Sequence, residues 1–219
     1  MEEKEIGRKT LEKSLAGFMH FPKSLNIWLK TIILWLKMGN ETKAILKELI
    51  EHKNEKFSIR KLSQIRKINY KSAYAAVDKL EKAGAIKVER LGNITLCSFS
   101  GKISPMVFEA EYERRGNLLK SRKFGVISNM LNEIKEPTIA LVFGSYAKGK
   151  AAKGSDIDIL LVAENKHILS GLPEEFHISA FSFKEFISMA KSREFSVVSE
   201  ALKNNIIIAG IEDYYRLTE

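Results

Sequence analysis

The sequence predicts an α+β fold in two modules, on three observations. Residues 42–82 show helical apolar spacing in three short stretches, followed by two alternating stretches joined across a glycine. Further on, Leu141-Val142-Phe143 reads as a buried strand, Gly144-Ser145 as the turn that closes it, and Asp156 to Val162 as a second strand. The positive charge is uneven: Arg60, Lys61, Arg66, Lys67, Lys71, Lys79, Lys82, Lys87 and Arg90 face only Asp78, Glu81 and Glu89 between Ser58 and Leu91, whereas residues 138–219 are slightly acidic.

Each element has a local cause. Ile45, Leu46, Leu49 and Ile50 give residues 42–52 an amphipathic stripe. Phe57 fits a short strand. Ser58 can cap a second helix running to about Lys67, with Leu62 and Ile65 inward. Asn69 caps a third, Tyr70 to Lys82, which buries Ala73, Ala76, Val77 and Leu80 and ends at Gly84. Residues 85–90 and 94–99 form a hairpin across Leu91-Gly92-Asn93. Ser104-Pro105 opens a helix expected to stop at Gly116, and a further helix from Asn117 to Ile134 stops before Pro137. The expected divisions are 1–40, a helical extension; 41–100, the basic module; 101–136, a helical linker; and 137–219, the sheet module.

Composition narrows the classes. With 219 residues, 45% hydrophobic and 29% charged, the chain is an ordinary globular protein carrying a net charge of +9. One cysteine, Cys97, excludes an intrachain disulfide framework and a multi-cysteine zinc site. It is expected to be a small buried hydrophobe, and a cytoplasmic location follows. No apolar run reaches membrane-spanning length, so no membrane partner is expected. Residues 27–37 suit an amphipathic helix that packs on the chain or on a second copy, a route to a homodimer; a start at Met38 would leave this leader outside the fold.

The chemistry sits in residues 141–162. Asp156 and Asp158 are two apart, so a strand projects them from one face. Neighbouring carboxylates repel and are best tolerated with a cation between them. Their oxygens suit Mg²⁺, with Mn²⁺ as the alternative, and such an ion recruits phosphates for its remaining positions. Gly144 lets the backbone approach a ligand closely, Ser145 offers a hydroxyl and an N–H, and Lys148 lies nearby to neutralise a triphosphate.

Phe143-Gly144-Ser145-Tyr146-Ala147-Lys148-Gly149, the gap, and Ser155-Asp156-Ile157-Asp158 resemble the signature of the polymerase-β-type nucleotidyltransferases, closest to the minimal domains of that superfamily. Glu200 to Gly210 resembles their terminal helix and strand, so the likeness spans about residues 137–219. It implies that Gly144 and Ser145 hold the triphosphate of an NTP, ATP foremost, and that Asp156 and Asp158 bind the metal. It also implies a third carboxylate on the next strand, where this chain has His177 or Ser179, with Glu175 at the strand start. His177 stands as a base or ligand, or as a structural histidine.

The three helices and hairpin of residues 41–100 resemble a winged helix-turn-helix domain. The resemblance implies that the third helix enters the major groove of double-stranded DNA. Lys71, Ser72, Tyr74 and Ala75 lie on its leading face, and Lys87, Arg90 and Asn93 in or near the wing. Docking to protein is the alternative use. The reading as a whole is a metal-dependent nucleotidyltransferase joined to a DNA-binding module. A DNA-binding regulator whose transferase-like domain holds nucleotide without turnover is the other reading.

Overall fold

The computed structural model describes residues 39–169, 171–192 and 196–218; the expectations placed on residues 1–37 lie outside them. Helix α1 (Asn40–Glu51) buries Ile45, Leu46, Leu49 and Ile50. Strand β1 (Phe57–Ser58) leads into α2 (Ile59–Ile65), whose Lys61 N–H donates to Ser58 Oγ at 3.1 Å. Helix α3 (Tyr70–Lys82) starts where Asn69 Oδ1 accepts from the Ser72 N–H at 2.8 Å. Strands β2 (Ile86–Leu91) and β3 (Ile94–Phe99) pair antiparallel across Gly92-Asn93, with φ +56 at Gly92, and β1 adds to β3. This is the winged-helix arrangement. One detail differs from expectation: α2 stops at Ile65, leaving that side chain exposed rather than inward, because the chain turns at Lys67 with φ +52.

Helix α4 (Pro105–Leu119) runs straight through Gly116 and ends only at Lys120-Ser121. A single glycine costs a helix about 1 kcal/mol, which packing outweighs here: Met106, Val107, Ala110, Glu111 and Arg114 are all buried. Helix α5 (Arg122–Glu133) is therefore shorter than predicted, and its Phe124, Ile127 and Leu131 belong to the core of the second module.

That module is a four-stranded sheet in the order β6-β5-β4-β7. Strands β4 (Ile139–Phe143), β5 (Ile157–Val162) and β7 (Ile206–Ala209) are mutually antiparallel where they pair, and β6 (Phe176–Phe181) runs parallel to β5. Ala140, Val142, Ile157, Ile159, Leu161 and Ile208 meet α5 on one side. Helix α8 (Val197–Lys203) packs on β4 and β5, with α7 (Phe183–Lys191) beside it and α9 (Ile211–Thr218) at the end. One-turn α6 (Gly144–Ala147) follows β4. The fold is α+β.

Residues 38–219 form one compact unit, and buried polar groups knit its parts together. Arg114 donates to Glu111 Oε2 at 2.6 Å and to the Asn205 carbonyl at 2.8 Å, while the Tyr215 hydroxyl donates to Glu111 Oε1 at 2.6 Å. Lys53, just past α1, donates to Asn205 Oδ1 and Tyr214 Oη, and Asn204 Nδ2 donates to the Glu51 carbonyl. Cys97 is buried, and burial pushes its thiol up to about 11, as suits a packing residue.

Removing Arg114 would leave the fully buried Glu111 carboxylate without its cation. Arg114→Met is expected to lower unfolding stability by about 3–5 kcal/mol, read from urea midpoints. A loss under about 1 kcal/mol would be the size of an exposed pair and would show that the network is not under this constraint.

Candidate functional site

Strand β4 delivers Gly144 at its end, and antiparallel β5 begins beside it, with Phe143 opposite Asp158. Gly144 has φ +69, and a Cβ built on it would overlap Asp158 Oδ2. Only glycine lets the backbone lie against that carboxylate. The loop between the strands closes through a Lys150 N–H to Ser145 O bond at 2.9 Å and an Ala152–Ser155 turn, which places Ser155-Asp156 at the mouth of β5. Parallel β6 sets His177 level with Asp158. The His177 Nδ1 atom lies 4.0 Å from Asp156 Oδ2, both side chains well exposed. Gly144, Ser145, Asp156, Asp158 and His177 thus share one end of the sheet.

Asp158 is the electrostatically loaded member. Burial raises its carboxyl above the ordinary value; His177 opposes this, Glu200 and Asp156 add to it, and Lys148 opposes it again. Glu200, on α8, was not foreseen in this role. It pairs with Lys148 at 3.6 Å, so the lysine expected to meet phosphate rests on a carboxylate, in an exposed pair worth little. Glu175 is also engaged, by Lys123 of α5 at 2.5 Å, which raises the lysine. That contact is an exposed pair of the same kind as Lys148–Glu200. Its sequence signal was weak, since the partners are 52 residues apart. Among the described residues no three His, Cys, Asp or Glu side chains are grouped to hold a metal.

The residues expected to face DNA are scattered over α3 and the wing. Lys71, Tyr74 and Lys87 are exposed, and Ser72 is half-buried at the capped helix start. Arg90 is exposed too, but its guanidinium grips Glu81 with bonds of 3.0 and 2.7 Å. The hydrogen bond raises Arg90 and lowers Glu81. The charge expected of Arg90 is thus matched within the module. Arg60, Lys61, Lys67, Lys71, Lys79 and Lys87 form no ion pair among the described residues.

Residues 126–211 match the family described as Polymerase beta, Nucleotidyltransferase. That span takes in most of α5, the whole four-stranded sheet, the Gly-Ser turn and the Asp-x-Asp segment at the start of β5. No curated protein matches the chain. Among solved structures, reduced HlyU from Vibrio cholerae is 12% identical, covering 42% of this chain and 92% of its own, at a TM-score of 0.34. The transcriptional regulator BldR from Sulfolobus solfataricus is 20% identical, over 61% and 86%, at 0.30. The adhesin competence repressor AdcR from Streptococcus pyogenes is 17% identical, over 52% and 82%, at 0.31. Scores this low carry no weight, and the winged helix rests on its own strand order and caps. No helix among the described residues is long and apolar enough to cross a membrane.

The raised Asp158 carboxyl has a consequence for stability. A folded value above the unfolded one means that folding favours the protonated acid. That contribution is complete below the unfolded value and is lost as pH rises through the folded one. Asparagine mimics the protonated acid at every pH. Asp158→Asn is therefore expected to melt above the parent at neutral pH in chelator, the gap closing as pH falls through the carboxylate range. A lower melting temperature for the variant at neutral pH would contradict this.

Proposed function

We propose that the chain is a metal-dependent nucleotidyltransferase that moves a nucleoside monophosphate from an NTP, ATP foremost, to an acceptor hydroxyl, joined to a winged helix that binds double-stranded DNA. The observation that carries it is the shared end of the sheet: Asp158 of β5, Asp156 just before that strand, and His177 of β6 beside the bare backbone of Gly144. The donor set fits a hard ion, since two carboxylates leave positions for phosphate and water oxygens. Asp156 and Asp158 would hold Mg²⁺ or Mn²⁺, which supplies positive charge against the triphosphate and the departing pyrophosphate.

The chain's own groups do the rest. Gly144 and Ser145 offer backbone and hydroxyl to the phosphates. Lys148 exchanges Glu200 for a phosphate oxygen. The acceptor oxygen attacks the α-phosphorus, the bond to the β-phosphate breaks, and pyrophosphate leaves. His177, its Nδ1 turned toward Asp156, takes the acceptor's proton at Nε2. On the winged helix, Lys71, Ser72, Tyr74 and Lys87 meet the duplex. Arg90 joins them by exchanging Glu81, its exposed partner, for a phosphate oxygen.

A second reading has its own observation. The strand position beside Asp158 holds His177 in place of a carboxylate, which favours a DNA-binding regulator that holds nucleotide without turning it over.

Incubation with α-labelled NTPs, Mg²⁺ or Mn²⁺, and nucleic-acid, protein and small-molecule acceptors separates the two. Transfer is expected, absent in Asp158→Asn and reduced about 10²–10⁴-fold in His177→Ala with nucleotide affinity kept. His177→Asp, which restores a carboxylate, should retain turnover. Full transfer by Asp158→Asn would reject the site, and NTP binding without pyrophosphate release would establish the second reading.

A further inference from the structure

Between α2, the start of α3 and the wing lies an open groove of ≈ 580 Å³, lined in part by Arg60, Gln64, Tyr70, Asn93 and Thr95. Its size falls within the ~300–1,000 Å³ range of ligand clefts. Tyr70 is 55% exposed at the first position of α3, so the ring offers an uncovered face. Tyr74, one turn on, is 52% exposed, with ring centroids 6.5 Å apart. The side-chain amides of Gln64 and Asn93 are exposed and make no hydrogen bond to the described chain, and Arg60 makes no ion pair within it. Lys61, Lys67 and Lys71 lie close by in sequence, exposed and likewise unpaired among the described residues.

We infer that this groove holds an unpaired nucleotide of a nucleic-acid strand, its base stacked on Tyr70, its edge met by the Gln64 and Asn93 amides, and its phosphate met by Arg60. Aromatic faces stack on any base, and nearby cations hold the backbone. An amide presents a donor and an acceptor together, which matches the edge of a base that no longer has a pairing partner. A base inside a duplex hides its face in the stack, so an exposed tyrosine in a concave site favours an unpaired one. The cationic surroundings fit an acidic peptide equally well; the flat ring flanked by two amides does not. Tyr74 extends the platform toward a second base. The inference goes beyond duplex binding by the winged helix and stands or falls separately from it.

The test uses the full chain and fluorescent oligonucleotides: single-stranded DNA and RNA homopolymers, a mixed-sequence duplex, and polyglutamate as the charge control. Anisotropy at low salt should show single-strand binding that Tyr70→Ala weakens roughly tenfold or more and Tyr70→Phe preserves. The duplex should lose much less in Tyr70→Ala. Gln64→Ala and Asn93→Ala should reorder the preference among homopolymers, and Arg60→Gln should weaken all of them. Because Tyr70 and Gln64 are exposed, these variants should melt with the parent. The inference is overturned by no single-strand binding, by unchanged affinity in Tyr70→Ala, by equal losses on single strand and duplex, or by polyglutamate binding as tightly. Duplex binding without single-strand binding would overturn it and leave the winged-helix reading intact.

Discussion

The contact between Asp158 and the bare backbone of Gly144 constrains the whole transferase-type module. Asp158 sits opposite Phe143 and level with His177, partly withdrawn from water, with Asp156 and Glu200 adding like charge. A fold selected for stability alone would place an amide or an aliphatic group there, because a carboxylate loses hydration and gains repulsion. The left-handed turn at Gly144 is fixed by the same crowding, since no Cβ fits against Asp158 Oδ2. The loop that follows must then return Asp156 to the same end of the sheet, which it does through the Ala152–Ser155 turn. Turn, loop and strand are arranged around a charge that is unfavourable until something positive meets it.

The second organising feature joins the modules. Asn204 and Asn205 directly follow α8, the helix that carries Glu200, and both are tied to the winged-helix side: Asn204 to the Glu51 carbonyl, Asn205 to Lys53. Arg114 of α4 closes the same junction from beneath, with Glu111 and Tyr215. Such groups are costly to bury unless each finds its partner, so they specify one geometry between α1, α4 and β7. Of the helices between the modules, α4 touches each side and α5 fills the sheet core.

Local signals in the sequence carried far. Asn69 and Ser58 marked helix starts that their side chains in fact cap, and the alternation around Gly92-Asn93 marked the hairpin. The Gly-Ser turn and Asp-x-Asp strand were legible because their residues are close in sequence and share one period. What escaped notice depends on distant partners. Gly116 reads as a helix stop, yet α4 is held by contacts with α1 and β7 that local propensity does not contain. The Arg90–Glu81, Lys123–Glu175 and Lys148–Glu200 pairs join different elements, so each alters a site residue's charge in a way that no local pattern displays. Glu200 in particular begins a stretch read only as resembling a terminal helix and strand.

Asp156 and Asp158 are proposed to be held together to receive a divalent cation in company with a triphosphate. Electron paramagnetic resonance of Mn²⁺ with a non-hydrolysable NTP analogue measures this directly, without requiring an acceptor. The free Mn²⁺ signal is expected to fall further when protein is added to the analogue than with the analogue alone, and Asp156→Asn is expected to abolish that further drop while the variant stays folded. No further drop with the parent, or an equal one with Asp156→Asn, would contradict a metal site at the two carboxylates.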